Sequence, residues 1–437
     1  MPTTVEPIPV QKILTHEHPD LDAIMSVLLL KKFGTALFPG VQEAEVIFSP
    51  AGTLPEGKSP RQLEKQGIIA VDIGGGRFDS HPSETTGKAK ADRSATDLVA
   101  ETLGVLNHPD WEELIEFSRL HDTTGHSMYS TNILHHISAL SNLLKGIQLQ
   151  HPGDSTAMME AGLELVANIP FAVKHREDPF PVATLQAAVD QYLDREQIDM
   201  ETPPEWLGNF KEWYWRLHNK FRTTYGKNPL DKLVSLKSIC QGAYYRFQDD
   251  PAGFQRIVEL CISSMLIREQ KWHEALTFYD EHCHVQQVDN LTFTTIASSN
   301  GMVIKAARFR HKPDILIYHN PENGAVTLFI QRKGALGRFP FERIAARVRV
   351  AEAVLREEEP VYEELEALGT VHGWFLHQSF NLLIRGSNKQ NQFVPTIIPL
   401  EQLNQLVYST FDQELELQQL PRNITEAIWK YKNPLFR

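Results

Sequence analysis

The stretch THEHPDLDAIMS, positions 15 to 26, brings one imidazole and two carboxylates within seven positions: His16, Asp20 and Asp22. A short β-type run, Lys12 to Thr15, delivers His16 to its C-terminal end. The loop after it presents Asp20 and Asp22 as a helix over Asp22 to Phe33 begins, with Gly34 as the stop. Carboxylates two apart beside an imidazole suit a hard or borderline divalent ion, and an oxygen-rich set with some nitrogen favours Mn²⁺ or Mg²⁺ over zinc. The alternative is helix capping by Asp20 or Asp22 with a solvated His16.

Three further places carry similar chemistry. Asp72 stands at the end of the apolar run GIIAVDI, just before Gly74, Gly75 and Gly76, where it is a ligand-edge acid or an ordinary turn residue. Arg77-Phe78-Asp79-Ser80-His81 forms a short polar loop after those glycines. Leu120-His121-Asp122-Thr123 puts another acid at a helix end, a position equally suited to capping.

Taken in order, HxxxDxD, an acid after a strand, Asp-x-His and Asp-Thr resemble the DHH phosphoesterase superfamily, which includes RecJ-type exonucleases, nanoRNases and family II inorganic pyrophosphatases. The resemblance covers about the first 130 residues. It implies that His16, Asp20 and Asp72 hold one metal and that Asp22, Asp72 and Asp122 hold a second, with Asp72 bridging. Asp72, Asp79 and His81 become the catalytic candidates, and His81 would touch the phosphate. The wording VDIGGGRFDSH is similar to the melanocyte-proliferating-gene type of metal-dependent hydrolase, and the late HGWFLHQSFNLLIRGSN is loosely similar to its terminal substrate stretch. One departure matters: Ser80 stands where the family has the first histidine of Asp-His-His. A hydroxyl is a weak ligand beside an imidazole. The second metal site is therefore weakened, recruits His18 or His121, or is lost.

The elements that must position these residues alternate over the first 130 positions. Strands over Glu45 to Phe48 and Gly67 to Ile73 alternate with helices over Ser59 to Gln66, Ser94 to Leu103 and Trp111 to His121. Runs that are apolar on both faces argue for a parallel sheet covered on both sides. Ser94 and Thr96 read as capping residues of their helix. Residues 131–287 form a helical insertion punctuated by prolines, with Trp206, Trp213 and Trp215 expected in its core. In residues 288–437 strands return over Leu291 to Ile296, Met302 to Arg308, Ile315 to His319, Val326 to Gln331, Gly373 to Leu376 and Asn381 to Arg385. A hairpin turn is expected at Pro321 to Gly324, and a helix over Phe341 to Glu358. The expected class is α/β: a DHH-type domain with a mainly parallel sheet, the helical insertion, and a C-terminal α/β substrate domain.

Charge narrows the substrate. The 437 residues hold 43 Lys and Arg against 55 Asp and Glu, a net charge of −12, which excludes a chain that grips long duplex DNA or an anionic membrane with its whole surface. The window Gly301 to Val350 departs from this, with ten basic residues against three acids. Arg308, Arg310, Arg332, Lys333 and Arg338 are its substrate-binding candidates; the alternative is a solvated helix face for Arg343 and Arg347. His377, Arg385, Ser387 and Asn388 form a second phosphate-binding candidate. His135-His136 and His282-Cys283-His284 are weak metal candidates. Three cysteines without a CxxC pair exclude a disulfide framework and point to a reducing cytoplasm. No run approaches the roughly 18 apolar residues of a membrane helix.

With the resemblance, which implies short single-stranded oligonucleotides or nucleotides as the substrate, these features lead to the expectation of a cytoplasmic phosphodiester hydrolase using one or two Mn²⁺ or Mg²⁺ ions, with no membrane partner and a homodimer left open. The alternatives are a catalytically weakened nucleotide-binding sensor and a small-phosphate hydrolase such as a pyrophosphatase.

Overall fold

A computed structural model describes residues 7–50, 53–80, 93–124, 139–218, 235–288, 291–330, 341–377, 382–386, 394–411 and 420–432. His81, His135, His136, Arg332, Lys333, Arg338, Ser387 and Asn388 lie outside the described residues. The chain divides into two compact units, Met1–Gln270 and Lys271–Arg437.

In the first unit, strand β1 (Lys12–His16) is followed by helix α1 (Leu21–Phe33), β2 (Glu45–Ser49), α2 (Pro60–Glu64) and β3 (Ile68–Ala70). The three strands form a parallel sheet in the order β2-β1-β3, with Ile13 opposite Val46 and Ile69. Successive strand residues feed opposite faces. Ile13, Ile69 and Val71 join the core with Ile24 and Val27 of α1, whereas Leu14, Ala70 and Ile73 pack with Leu63 of α2. That two-sided burial is why these strands read as continuous apolar runs.

Helices α3 (Ala95–Leu103) and α4 (Glu112–Thr124) follow, then α5 (Leu140–Gln150), α6 (Ser155–Val166), α7 (Ile169–Lys174), α8 (Val182–Arg195), α9 (Gly208–His218), α10 (Leu236–Arg246) and the 32-residue α11 (Pro251–His282). Residues of α5 to α10, and of α11 as far as Leu266, lie in the same core cluster as Ile13 and Ile24. Gly162 on α6 marks the approach: a Cβ there would lie 2.5 Å from Ile24 Cδ1. The described helical residues of 139–218 and 235–266 thus complete the core of the N-terminal sheet.

Trp213 is buried and Trp206 packs against the core, but Trp215 is 43% exposed, with Lys211 Nζ 5.7 Å from its ring. Trp215 lies two residues from Trp213 on a helix, so the two cannot share a face.

The second unit holds a seven-stranded mixed sheet in the order β4-β5-β6-β7-β10-β9-β8: β4 (His284–Val288), β5 (Leu291–Ala297), β6 (Ile315–His319), β7 (Val326–Ile330), β8 (Gly369–Val371), β9 (Trp374–Leu376) and β10 (Leu382–Arg385). Its helices are α12 (Val303–Arg310), α13 (Phe341–Leu355), α14 (Leu400–Tyr408) and α15 (Arg422–Lys432). Ile315 and Ile317 face α13 while Leu316 and Tyr318 face Val303 and Ala307, so β6 is buried on both sides.

Residues 302–308, expected as a strand, are instead the body of α12. Val303, Ala306 and Ala307 are buried at helical spacing, and Asn300 Oδ1 accepts from the backbone of Met302 at 3.0 Å. The helix is the crossover between the parallel pair β5 and β6, a connection that hairpins cannot make. The Pro321–Gly324 turn does join β6 and β7 as an antiparallel hairpin. Among the described residues, no helix is long and apolar enough to cross a membrane.

Candidate metal centre

His16 ends β1, and Asp72 follows β3, so both stand at the C-terminal edge of neighbouring strands. In the order β2-β1-β3 the chain leaves β1 toward β2 and returns past it to β3. That reversal opens a crevice between the ends of β1 and β3, the place where open α/β sheets bind ligands.

His16 Nε2 lies 3.2 Å from Asp72 Oδ2 and 4.0 Å from Asp20 Oδ1. The three residues each offer one ligand atom, all within 4.8 Å of one another. One imidazole nitrogen and two carboxylate oxygens converging on one point fit a hard or borderline divalent ion. Side-chain exposure rises from 3% at Asp72 through 13% at His16 to 44% at Asp20, so the group is anchored in the core and open on the Asp20 side. Asp20 serves a second purpose as the N-cap of α1, its Oδ1 accepting from Asp22 N at 3.1 Å and Ala23 N at 3.3 Å. Capping and a place in the convergent group, opposed as alternatives in the sequence, are compatible at this residue because a carboxylate has further lone pairs.

Local backbone explains how Asp72 reaches the crevice. Its φ is +54°, a left-handed conformation that Asp and Asn tolerate better than other side chains. Gly74 and Gly75 continue with φ of +80° and +71°, and a Cβ on Gly74 would lie 2.5 Å from Leu54. The loop then turns back so that Asp72 N donates to Phe78 O at 2.8 Å. Asp79 is buried and its Oδ2 accepts from Gly75 N at 2.6 Å, which fixes the glycine loop from within. Ser80 is also buried.

Asp22 is placed differently. Its Oδ2 accepts from Ala95 N at 2.7 Å and its Oδ1 from Thr96 N at 2.9 Å, so it holds the N-terminus of α3. The Thr96 hydroxyl donates to Asp22 O at 3.2 Å, and Ser118 Oγ of α4 lies 3.4 Å from Asp22 Oδ1. Burial pushes the Asp22 carboxyl above its usual range, more than the hydrogen bonds from Thr96 and Ala95 pull it down. Ser94 caps α3 through a reciprocal pair with Asp97, as expected from the sequence. Asp122 is exposed in the last turn of α4, and the His121 ring stacks on Phe117. Neither Asp22, Asp122 nor His121 belongs to the convergent group.

Two residues with no signal in the sequence hold the loop between His16 and Asp20. Ser155 Oγ of α6 donates to Glu17 O at 2.5 Å, and Gln148 Nε2 of α5 donates to Pro19 O at 3.0 Å. Both contacts span well over a hundred residues, and both tether backbone between His16 and Asp20.

In the second unit, the described basic candidates are engaged locally. Arg310 pairs with Asp280 through two contacts, at 3.0 and 2.5 Å, and Arg308 lies over the Phe329 ring at 4.9 Å. Arg385 is buried, 3.4 Å from Glu352, with Nε donating to Val394 O at 2.9 Å and Nη1 to His372 O. Arg347 and Arg349 of the basic window are buried as well. Arg349 donates to the carbonyls of Leu365, Ala367, Gly369 and Trp374, and burial lowers its pKa to about 10. His377 donates its backbone N–H to Leu382 O and its ring lies edge-on to Phe375.

No protein-family model matches the chain, and no curated protein sequence does. Among solved structures, the chain is similar to a pGpG-specific phosphodiesterase, PggH from Vibrio cholerae. The identity is 11%, the alignment covers 94% of this chain and 100% of that one, and the TM-score is 0.33. A likeness that weak bears on neither fold nor chemistry.

Because Gln148 and Ser155 grip the loop that carries His16 and Asp20, removing both grips is expected to lower the affinity for Mn²⁺ by about 10-fold, the range of outer supporting contacts. Calorimetric titration of the double variant Gln148→Ala, Ser155→Ala checks this. Its melting temperature should fall by only a few degrees, since the two contacts together are worth about 2 kcal/mol.

Proposed function

We propose that the chain is a metal-dependent phosphodiester hydrolase acting on short single-stranded oligonucleotides or nucleotides, with His16, Asp20 and Asp72 holding the ion. The observation that carries the reading is the convergence of those three ligand atoms within 4.8 Å at the crevice between β1 and β3. The order of the motifs, which resembles the DHH phosphoesterases, supplies the substrate class.

Bound there, Mn²⁺ or Mg²⁺ supplies Lewis acidity toward a phosphoryl oxygen and a lowered pKa for the attacking water. His16 Nε2 and Asp72 Oδ2, 3.2 Å apart, face each other as two ligand atoms of one ion would. Asp20, the most exposed of the three, borders the side from which a phosphate enters. Asp79 keeps the glycine loop in place beneath Asp72, and His81 follows it in the chain as the phosphate-orienting candidate. The reading takes one ion as its core. A second ion would draw on Asp22 and Asp122, and what weighs against it is that Asp22 is buried against the start of α3 and neither acid joins the convergent group.

The test is release of mononucleotides from an end-labelled short RNA. Excess EDTA should reduce the rate to background and added Mn²⁺ should restore it. Turnover that persists in EDTA would exclude the metal, and tight binding of the RNA without turnover in Mn²⁺ would leave a sensor in place of an enzyme.

A further inference from the structure

Four cations surround a hollow of about 460 Å³ in the first unit: Lys31 and Lys32 from the last turn of α1, Lys174 from the end of α7 and Arg246 from the end of α10. Half-buried Phe171 supplies aromatic surface, while Trp111, 3% exposed, reaches the wall only with an edge. The rest of the wall is aliphatic, apart from Asp110. A volume in the range of about 300–1,000 Å³, mostly apolar with a few placed charges, is the ordinary form of a small-molecule site.

Lysines at helix C-termini have a structural role with the helix dipole, and that accounts for one or two of them on separate surfaces. It does not account for cations from three helices meeting around one hollow, where their mutual repulsion favours an anion between them. Two of the four are fixed in position. Lys31 Nζ donates to Ala44 O at 2.7 Å, and Arg246 Nη1 donates to Asn168 Oδ1 at 3.2 Å. Lys32 and Lys174 are exposed and have no carboxylate partner among the described residues, and Lys32 Nζ lies 5.7 Å from the Trp111 ring. The hollow therefore offers one held cation, Arg246, two adaptable ones, and a largely apolar wall, with the Lys31 ammonium turned to the Gln42 and Ala44 carbonyls.

We infer that this hollow is a second ligand site, for a mononucleotide whose phosphate meets Lys32, Lys174 and Arg246 while its base lies against Phe171. A sugar phosphate would set hydroxyls against the apolar wall, where their lost hydration goes unreturned. A base offers a π face to the same wall and to the lysine ammonium groups beside it. The site is separate from the metal centre. Asp20 caps the start of α1 and Lys31 stands eleven residues further along it, about 17 Å at the rise of an α-helix. The inference does not rest on the proposed hydrolysis.

Titration calorimetry of the full chain with 5′-AMP, in EDTA and low salt, tests it. Wild type is expected to bind 5′-AMP at least about ten-fold more tightly than ribose 5-phosphate, and the double variant Lys32→Glu, Lys174→Glu should lose at least about ten-fold, with an unchanged melting temperature. The neutral pair Lys32→Gln, Lys174→Gln should fall between, and Asp72→Asn should bind as wild type does. No binding by wild type, or equal affinity in the charge-reversed variant, would overturn the site. Equal affinity for ribose 5-phosphate would overturn the assignment to a nucleotide.

Discussion

Replacing Asp72 with asparagine should reduce Mn²⁺-dependent hydrolysis by about 10³-fold, the scale of losing several kcal/mol of charge stabilisation at the reacting phosphate, while the protein stays folded. Asp72 is the most buried member of the convergent group and the one that lies nearest His16 Nε2, at 3.2 Å. Asparagine keeps the shape and tolerates the left-handed backbone at φ +54°, so the change removes the charge and one oxygen ligand with little strain. Alanine is the poorer variant, because strain at that φ adds about 1–2 kcal/mol unrelated to the ion. Initial rates and thermal melts on the same preparation separate the two effects. A variant that retains more than about a tenth of wild-type turnover would remove Asp72 from the chemistry.

The second large effect concerns stability. Asp22→Ala leaves the buried backbone N–H groups of Ala95 and Thr96 without their acceptor. At about 1–3 kcal/mol for each unsatisfied donor, a loss of about 3 kcal/mol is expected, partly offset by relief of the buried charge. Urea denaturation in EDTA is the check, since without metal a pure ligand residue would show no loss. The pH dependence has a definite sign. Burial raises the folded-state pKa of Asp22 above its ordinary value of 3.8, so the folded form holds this proton more tightly than the unfolded chain. The contribution of Asp22 is fully present below the ordinary value and declines as pH rises through the folded value, a slope that the alanine variant lacks.

The contrast between Asp20 and Asp22 shows what the sequence made legible. His16 and Asp20 belong to one strand–loop–helix segment, and Asp72 ends a neighbouring apolar strand, so spacing and strand order were enough to bring them to one edge. The partners of Asp22 lie 73 and 74 residues away on α3, and no local pattern announces them. Gln148 and Ser155 are hidden for the same reason: each acts through its partner's backbone oxygen, which leaves no mark in residue type. The mixed α/β character was legible from periodicity. The helix over Val303–Arg310 was not, because an eight-residue amphipathic helix and a strand share short apolar runs, and the parallel pairing of β5 with β6 decides between them. Charge was the least legible quantity. Arg385 reads as a phosphate-binding candidate, and Arg347 and Arg349 as members of a basic window whose helix has a solvated face as its alternative, yet carbonyls, Ser409 and Glu352 enclose all three in the core of the second unit.

Anomalous diffraction at the manganese edge, from crystals grown with Mn²⁺, tests the metal centre most directly. A peak bonded to His16 Nε2 and to one carboxylate oxygen each of Asp20 and Asp72 is the predicted result. No peak in the crevice between β1 and β3, or an ion held there by other residues, would contradict it.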